Sequence, residues 1–110
     1  MKFIKILPIT ILLFIGLNSF AQKESKFTEI NFRVEGKCDM CETRIENALD
    51  VKGIKLADWD VKTKNCRVIY KTADFKELEI HQIIADLGHT TEKVKTTPEN
   101  YDNLHHCCKY

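Results

Sequence analysis

The chain has 110 residues, enough for one small domain, and its 17 basic and 16 acidic side chains leave a formal charge of +1. That balance gives no electrostatic case for nucleic acid or for an anionic membrane surface, and 44% hydrophobic with 30% charged residues excludes fibrous and disordered classes. Five Cys are the unusual count, because an odd number cannot all pair within one chain.

Residues 1–21 read as a secretory signal. Lys2 and Lys5 give a basic start, Ile6 to Leu17 an apolar run, and Ser19-Phe20-Ala21 a small-x-small cleavage pattern. The run is shorter than the roughly 20 apolar residues of a spanning helix. The expectation is cleavage near Ala21-Gln22 and export, to a periplasm, with an uncleaved N-terminal anchor as the alternative. A domain over residues 22–95 and a tail over 96–110 remain. Export places the thiols where disulfides form.

In Phe27 to Glu35, Ile30, Phe32 and Val34 alternate with polar residues, the period of a half-buried strand. Asp39 with Glu42 three residues on reads as a capping box, and Cys41, Ile45, Ala48 and Leu49 form one face of the helix that follows, ended by Gly53. Ile54 to Val61 and Cys66 to Lys71 are two short strands joined through Thr63-Lys64-Asn65. Ala57, Trp59 and Val61 face one way in the first, Cys66, Val68 and Tyr70 in the second. A second helix starts between Asp74 and Glu77, buries Ile80, Ile83, Ile84 and Leu87, and closes at Gly88. Thr90 to Lys95 is a weaker last strand, and residues 96–110 show no period. One apolar stripe per helix and one apolar face per strand predict an α+β fold. Its form is the ferredoxin-like βαββαβ sandwich, a four-stranded antiparallel sheet with both helices on one face.

Cys38 and Cys41 lie where the first strand hands over to the first helix. Two thiols three residues apart can converge on one ion, and the positive end of a helix favours the thiolate. A two-sulfur site suits Cu(I), and suits Zn(II) less well because Zn(II) normally takes four ligands. Redox proteins also use this spacing.

Val34-Glu35-Gly36-Lys37-Cys38-Asp39-Met40-Cys41, followed by Arg44-Ile45-Glu46-Asn47-Ala48-Leu49, resembles the heavy-metal-associated domain family over about residues 27–95. Tyr70, the Ile80/Ile84/Leu87 stripe and Gly88 fall where that family has counterparts. The resemblance implies one soft ion held by Cys38 and Cys41 in an exposed loop and passed on by exchange with a partner's Cys pair. One departure stands out. The family usually reads Gly-Met-x-Cys-x-x-Cys, whereas Gly36-Lys37-Cys38 is one residue short and lacks that Met. Met40, inside the pair, is no obvious substitute.

His89 follows Gly88 in the loop that, by the resemblance, lies beside the metal. It reads as a third ligand or a pH-sensitive hydrogen bond, or else as an exposed loop residue. His81 reads as plain surface. The tail ends His105-His106-Cys107-Cys108, a run of a kind that commonly binds metal. It can fold back on Cys38 and Cys41, form a second site, enter disulfides, or be a disordered end. Cys66 and Trp59 read as core.

The function expected is binding and transfer, not catalysis. The cargo is Cu(I) first, with Hg(II) or Zn(II) as alternatives. The acceptor is a copper-transporting ATPase, an efflux component or a cuproprotein carrying a Cys-x-x-Cys or Met/His site, and a metal-bridged homodimer is a further arrangement. Two rivals use the same thiols: a thiol–disulfide oxidoreductase, and a structural Zn(II) site closed by the tail.

Overall fold

The computed structural model describes residues 26–110, so the secretory segment expected at residues 1–21 lies outside the described residues. Three strands, β1 (Phe27–Arg33), β2 (Ile54–Trp59) and β3 (Asn65–Lys71), form an antiparallel sheet in the order β1-β3-β2. The register aligns Phe32 with Cys66 and Cys66 with Trp59, and one row further Ile30 with Val68 and Val68 with Ala57. Alternation therefore works as expected: successive rows send the same side of each strand into one core. One extra residue in β2, between Ile54 and Leu56, bulges the register.

Helices α1 (Asp39–Ala48) and α2 (Glu77–Asp86) cover that face. Cys41, Ile45 and Leu49 from the first, and Ile80 and Ile84 from the second, are buried with Phe32, Val34, Trp59, Cys66, Val68 and Tyr70. The Glu79 carboxylate accepts from the Lys76 N–H at 2.7 Å and closes the start of α2. The first helix begins differently from expectation. Its N-cap is Cys38, not Asp39, with an extended backbone (φ −148°, ψ 176°), and Asp39 and Glu42 are simply acidic residues of its first turn.

The fourth strand is not formed among the described residues. Only an antiparallel bridge between Val34 and Thr91 marks its place on the outer edge of β1. The Glu35 N–H donates to the Thr90 carbonyl and the Glu92 N–H to the Arg33 carbonyl, each at 2.9 Å. Threonine hydroxyls then end the ladder. The Thr91 Oγ1 accepts from the N–H groups of Lys93 (3.2 Å) and Val94 (3.0 Å), while the Thr91 N–H donates to the Val94 carbonyl at 2.8 Å. Side chains that take backbone amides this way turn the chain instead of extending it. The same turn corrects the reading of His81. It is fully buried, 4.0 Å from the Phe32 ring, with Nδ1 2.6 Å from the Thr91 Oγ1.

The tail is also more ordered than its sequence suggests. A short helix α3 (Pro98–Asp102) starts at Thr97, whose Oγ1 accepts from the Asn100 N–H at 3.1 Å, with Pro in the first turn. A 3₁₀ turn follows at His106–Cys108. Leu104 is 4% exposed and Cys108 0% exposed, so both belong to the core. Gly88, at φ +107°, makes this docking possible: a Cβ there would meet the Asn100 carbonyl oxygen at 2.6 Å and the Leu104 Cγ at 2.8 Å. Among the described residues no helix is long and apolar enough to cross a membrane.

Candidate metal centre

The sequence folds the loop Glu35–Lys37 tightly between β1 and α1. Gly36 is buried against Trp59, where a Cβ would approach the ring to 2.8 Å. The Lys64 ammonium donates to the Gly36 carbonyl at 2.6 Å, and the Lys37 N–H donates to the Cys41 Sγ at 3.4 Å. The loop backbone is thus held from three sides by the fold itself.

Cys38 and Cys41 end up with their sulfurs 3.7 Å apart. Cys41 is buried and Cys38 half-buried. The N-cap position puts the Cys38 sulfur at the open end of α1, and its pKa falls to about 7. The largest cause is the Cys41 N–H, opposed by partial burial and reinforced by the Cys107 thiol and the Met40 N–H. A thiol near neutrality is ready to bind a soft ion as thiolate.

The tail brings more sulfur to the same point. Cys38, Cys41 and Cys108 offer sulfurs all within 4.8 Å of one another. The Cys107 Sγ lies 3.6 Å from the Cys38 Sγ and 3.5 Å from the Met40 Sδ. Burial, and next the Cys41 sulfur, push the Cys108 thiol well above its ordinary range. The Cys38 sulfur raises Cys107. The cluster therefore sets one thiol poised near neutrality, Cys38, against two that hold their protons more firmly, Cys107 and Cys108, and a cation bound there would replace protons on the sulfurs it takes.

His89 stands outside the sulfur cluster. It is fully buried, and its Nδ1–H donates to the Glu35 carbonyl at 2.7 Å, so it props the loop that carries Cys38. Burial lowers its pKa, only partly offset by the Glu35 carbonyl, and the Arg44 charge lowers it further. His105 and His106 are exposed, their rings 4.5 Å apart, and neither joins the sulfurs. Cys66 is a core residue whose thiol burial pushes up to about 12. Lys64 and Tyr110 were not singled out by sequence reasoning. The first touches the loop across 28 residues of chain, and nothing local announces such a contact. Met40 does not stand at the family's Met position, yet its thioether lies against Cys107.

No family model matches the chain, and no curated protein matches it. Solved structures do. The chain is 24% identical to the CopZ metallochaperone, with a TM-score of 0.56 over 58% of this chain and 98% of that one. It is 20% identical to oxidised MerP from Ralstonia metallidurans CH34, with a TM-score of 0.56 over 60% and 94%. It is 32% identical to a copper form of a CopA variant from Bacillus subtilis, with a TM-score of 0.52 over 61% and 91%. Fold and site together define a small α+β domain that presents a thiol pair at a strand–helix junction. The chain belongs to the heavy-metal-associated domain family.

Proposed function

We propose that this protein is an exported carrier that binds one soft metal ion, Cu(I) foremost, through Cys38 and Cys41 and passes it to a partner by thiolate exchange. The observation that carries the reading is the pair of sulfurs 3.7 Å apart at the start of α1, one of them with a pKa of about 7. Sulfur donors select Cu(I) and other soft ions over hard ones. The copper form of CopA among the similar structures supports the choice of cargo. A copper-transporting ATPase, an efflux component or a cuproprotein with its own thiols suits this exchange as acceptor. The exported location rests on the N-terminal segment.

Anaerobic titration of the reduced chain with Cu(I) against a competing chelator tests the reading. One tight equivalent is expected, lost in Cys38→Ser/Cys41→Ser. Tight binding that survives in that variant would place the site elsewhere. The half-buried Cys38 beside the buried Cys41 is also the arrangement of a nucleophilic and a resolving thiol. Cys38-dependent turnover of a disulfide substrate, without tight Cu(I) binding, would establish that second reading instead.

A further inference from the structure

Resting on the reading of Cys38 and Cys41 as the carrier site, we infer that the C-terminal tail is a built-in competitor for the cargo. Its Cys107 and Cys108 hold the place an acceptor's thiol pair must take, and release requires the tail to lift away.

The tail is docked, not draped. Leu104 is in the core, and Cys108 is fully buried beside Cys41. Tyr110 latches the end: its hydroxyl donates to the Gly88 carbonyl and accepts from the Thr90 N–H, each at 2.9 Å, while its ring stacks over His89 at 6.0 Å. Tyr101 meets the Tyr110 ring edge-on at 5.0 Å. Between these anchors the tail crosses the half-buried Cys38. The Cys107 sulfur sits 3.6 Å from the Cys38 sulfur, and the Cys107 carbonyl oxygen is 3.4 Å from it. A partner dithiol approaching Cys38 meets this segment first.

The spacing suits shared ligation. A four-sulfur site around an ion with bonds of about 2.3 Å has sulfur–sulfur edges of roughly 3.8 Å. Two of these separations, Cys38–Cys41 at 3.7 Å and Cys38–Cys107 at 3.6 Å, already approach that value, and the Cys108 sulfur lies within 4.8 Å of both Cys38 and Cys41. Tethered thiols act at a high effective concentration, on the order of millimolar or more. An ion held by Cys38 and Cys41 therefore gains tail thiolates faster than it gains an outside ligand. Transfer is plain ligand exchange with no redox change. Each bond from the metal to a tail sulfur that breaks is replaced by one to an acceptor sulfur. The acceptor thiol gives up its proton, the departing thiolate takes one up, and copper remains Cu(I).

The test uses the full reduced chain under anaerobic conditions, with a Cu(I)-selective chelator for affinity and dithiothreitol as the transfer acceptor. Against Cys107→Ser/Cys108→Ser, the native chain is expected to hold Cu(I) at least ~10-fold more tightly and to release it correspondingly more slowly. Tyr110→Phe keeps every sulfur but removes the latch, and is expected to speed release. Because Cys108 is buried, circular dichroism checks that the double variant folds. If it does not, the partly exposed Cys107→Ser alone and Tyr110→Phe decide. Equal affinity and equal release rates in native and tail variants overturn the competing tail, even while Cys38→Ser/Cys41→Ser abolishes tight binding and so upholds the carrier. Survival of tight binding in Cys38→Ser/Cys41→Ser would sink the carrier reading itself.

Discussion

A thiol three residues before another is common, and what distinguishes Cys38 is its position at the open end of α1. The Cys41 N–H faces its sulfur and brings its pKa to about 7. Below that value the thiol keeps its proton and reacts slowly; above it the thiolate dominates. Alkylation of the metal-free chain by iodoacetamide, followed by mass spectrometry of the Cys38 peptide, is expected to accelerate with a midpoint near pH 7. Cys66, at about 12, stays unmodified over the same range unless the protein unfolds. A midpoint for Cys38 above pH 8.5 would remove the helix end as the source of its reactivity. Gly36 is the second residue on which the loop depends, because Trp59 occupies the space a Cβ needs. Gly36→Ala is expected to cost ~1–3 kcal/mol in urea unfolding, as overpacking does. The placement of the Cys38 and Cys41 pair at the strand–helix junction was legible from spacing and element order alone. The contact of Lys64 with the Gly36 carbonyl was not, since a Lys in a tight hairpin connection reads as solvent-exposed.

At the scale of elements, period two and the helical stripes placed β1, β2, β3, α1 and α2 to within a few residues. The last strand and the surface reading of His81 failed together, and for one reason. Thr91 carries a hydroxyl that captures the amides of Lys93 and Val94, so the segment curls over α2 and seals His81 beneath it. Alternation of apolar residues cannot register a side chain competing for backbone amides. The burial has a measurable result. Desolvation lowers the pKa of His81 from an ordinary 6.5, against the opposing pull of Glu77, and burial lowers that of His89 as well. The fold thus favours the neutral form of both rings, whereas an unfolded His takes up its proton at about 6.5. Stability from this source is complete above pH 6.5 and is lost as the pH falls through the lower folded values. The melting temperature of the metal-free chain is expected to drop below pH 6.5, and His81→Gln is expected to flatten that drop. An unchanged slope in His81→Gln would show that the His81 site is not what acid attacks.

Seen as one molecule, the protein is a family fold with an added segment that completes its core. A small domain buries a modest share of its surface, so each further apolar side chain it can enclose matters. Leu104 fills the space over Gly88, and the tail reaches it only because residue 88 has no Cβ and Thr97 starts a helix in the right place. Residues 96–110 show no period in the sequence because a five-residue helix and a 3₁₀ turn are too short to produce one. Their order comes from tertiary contact, with the Thr96 hydroxyl donating to the Ala85 carbonyl at 2.6 Å and Tyr110 tied to Gly88. If the segment is part of the core, truncating its buried leucine leaves a cavity that the packed sheet and helices cannot close. Leu104→Ala is then expected to cost ~2–4 kcal/mol in the metal-free chain, the range of buried Leu truncations. An end that merely lies on the surface predicts a change below ~0.5 kcal/mol. Urea unfolding with metal rigorously excluded separates the two, because an ion bound as proposed through the tail sulfurs would add stability of its own and mask the contribution of packing.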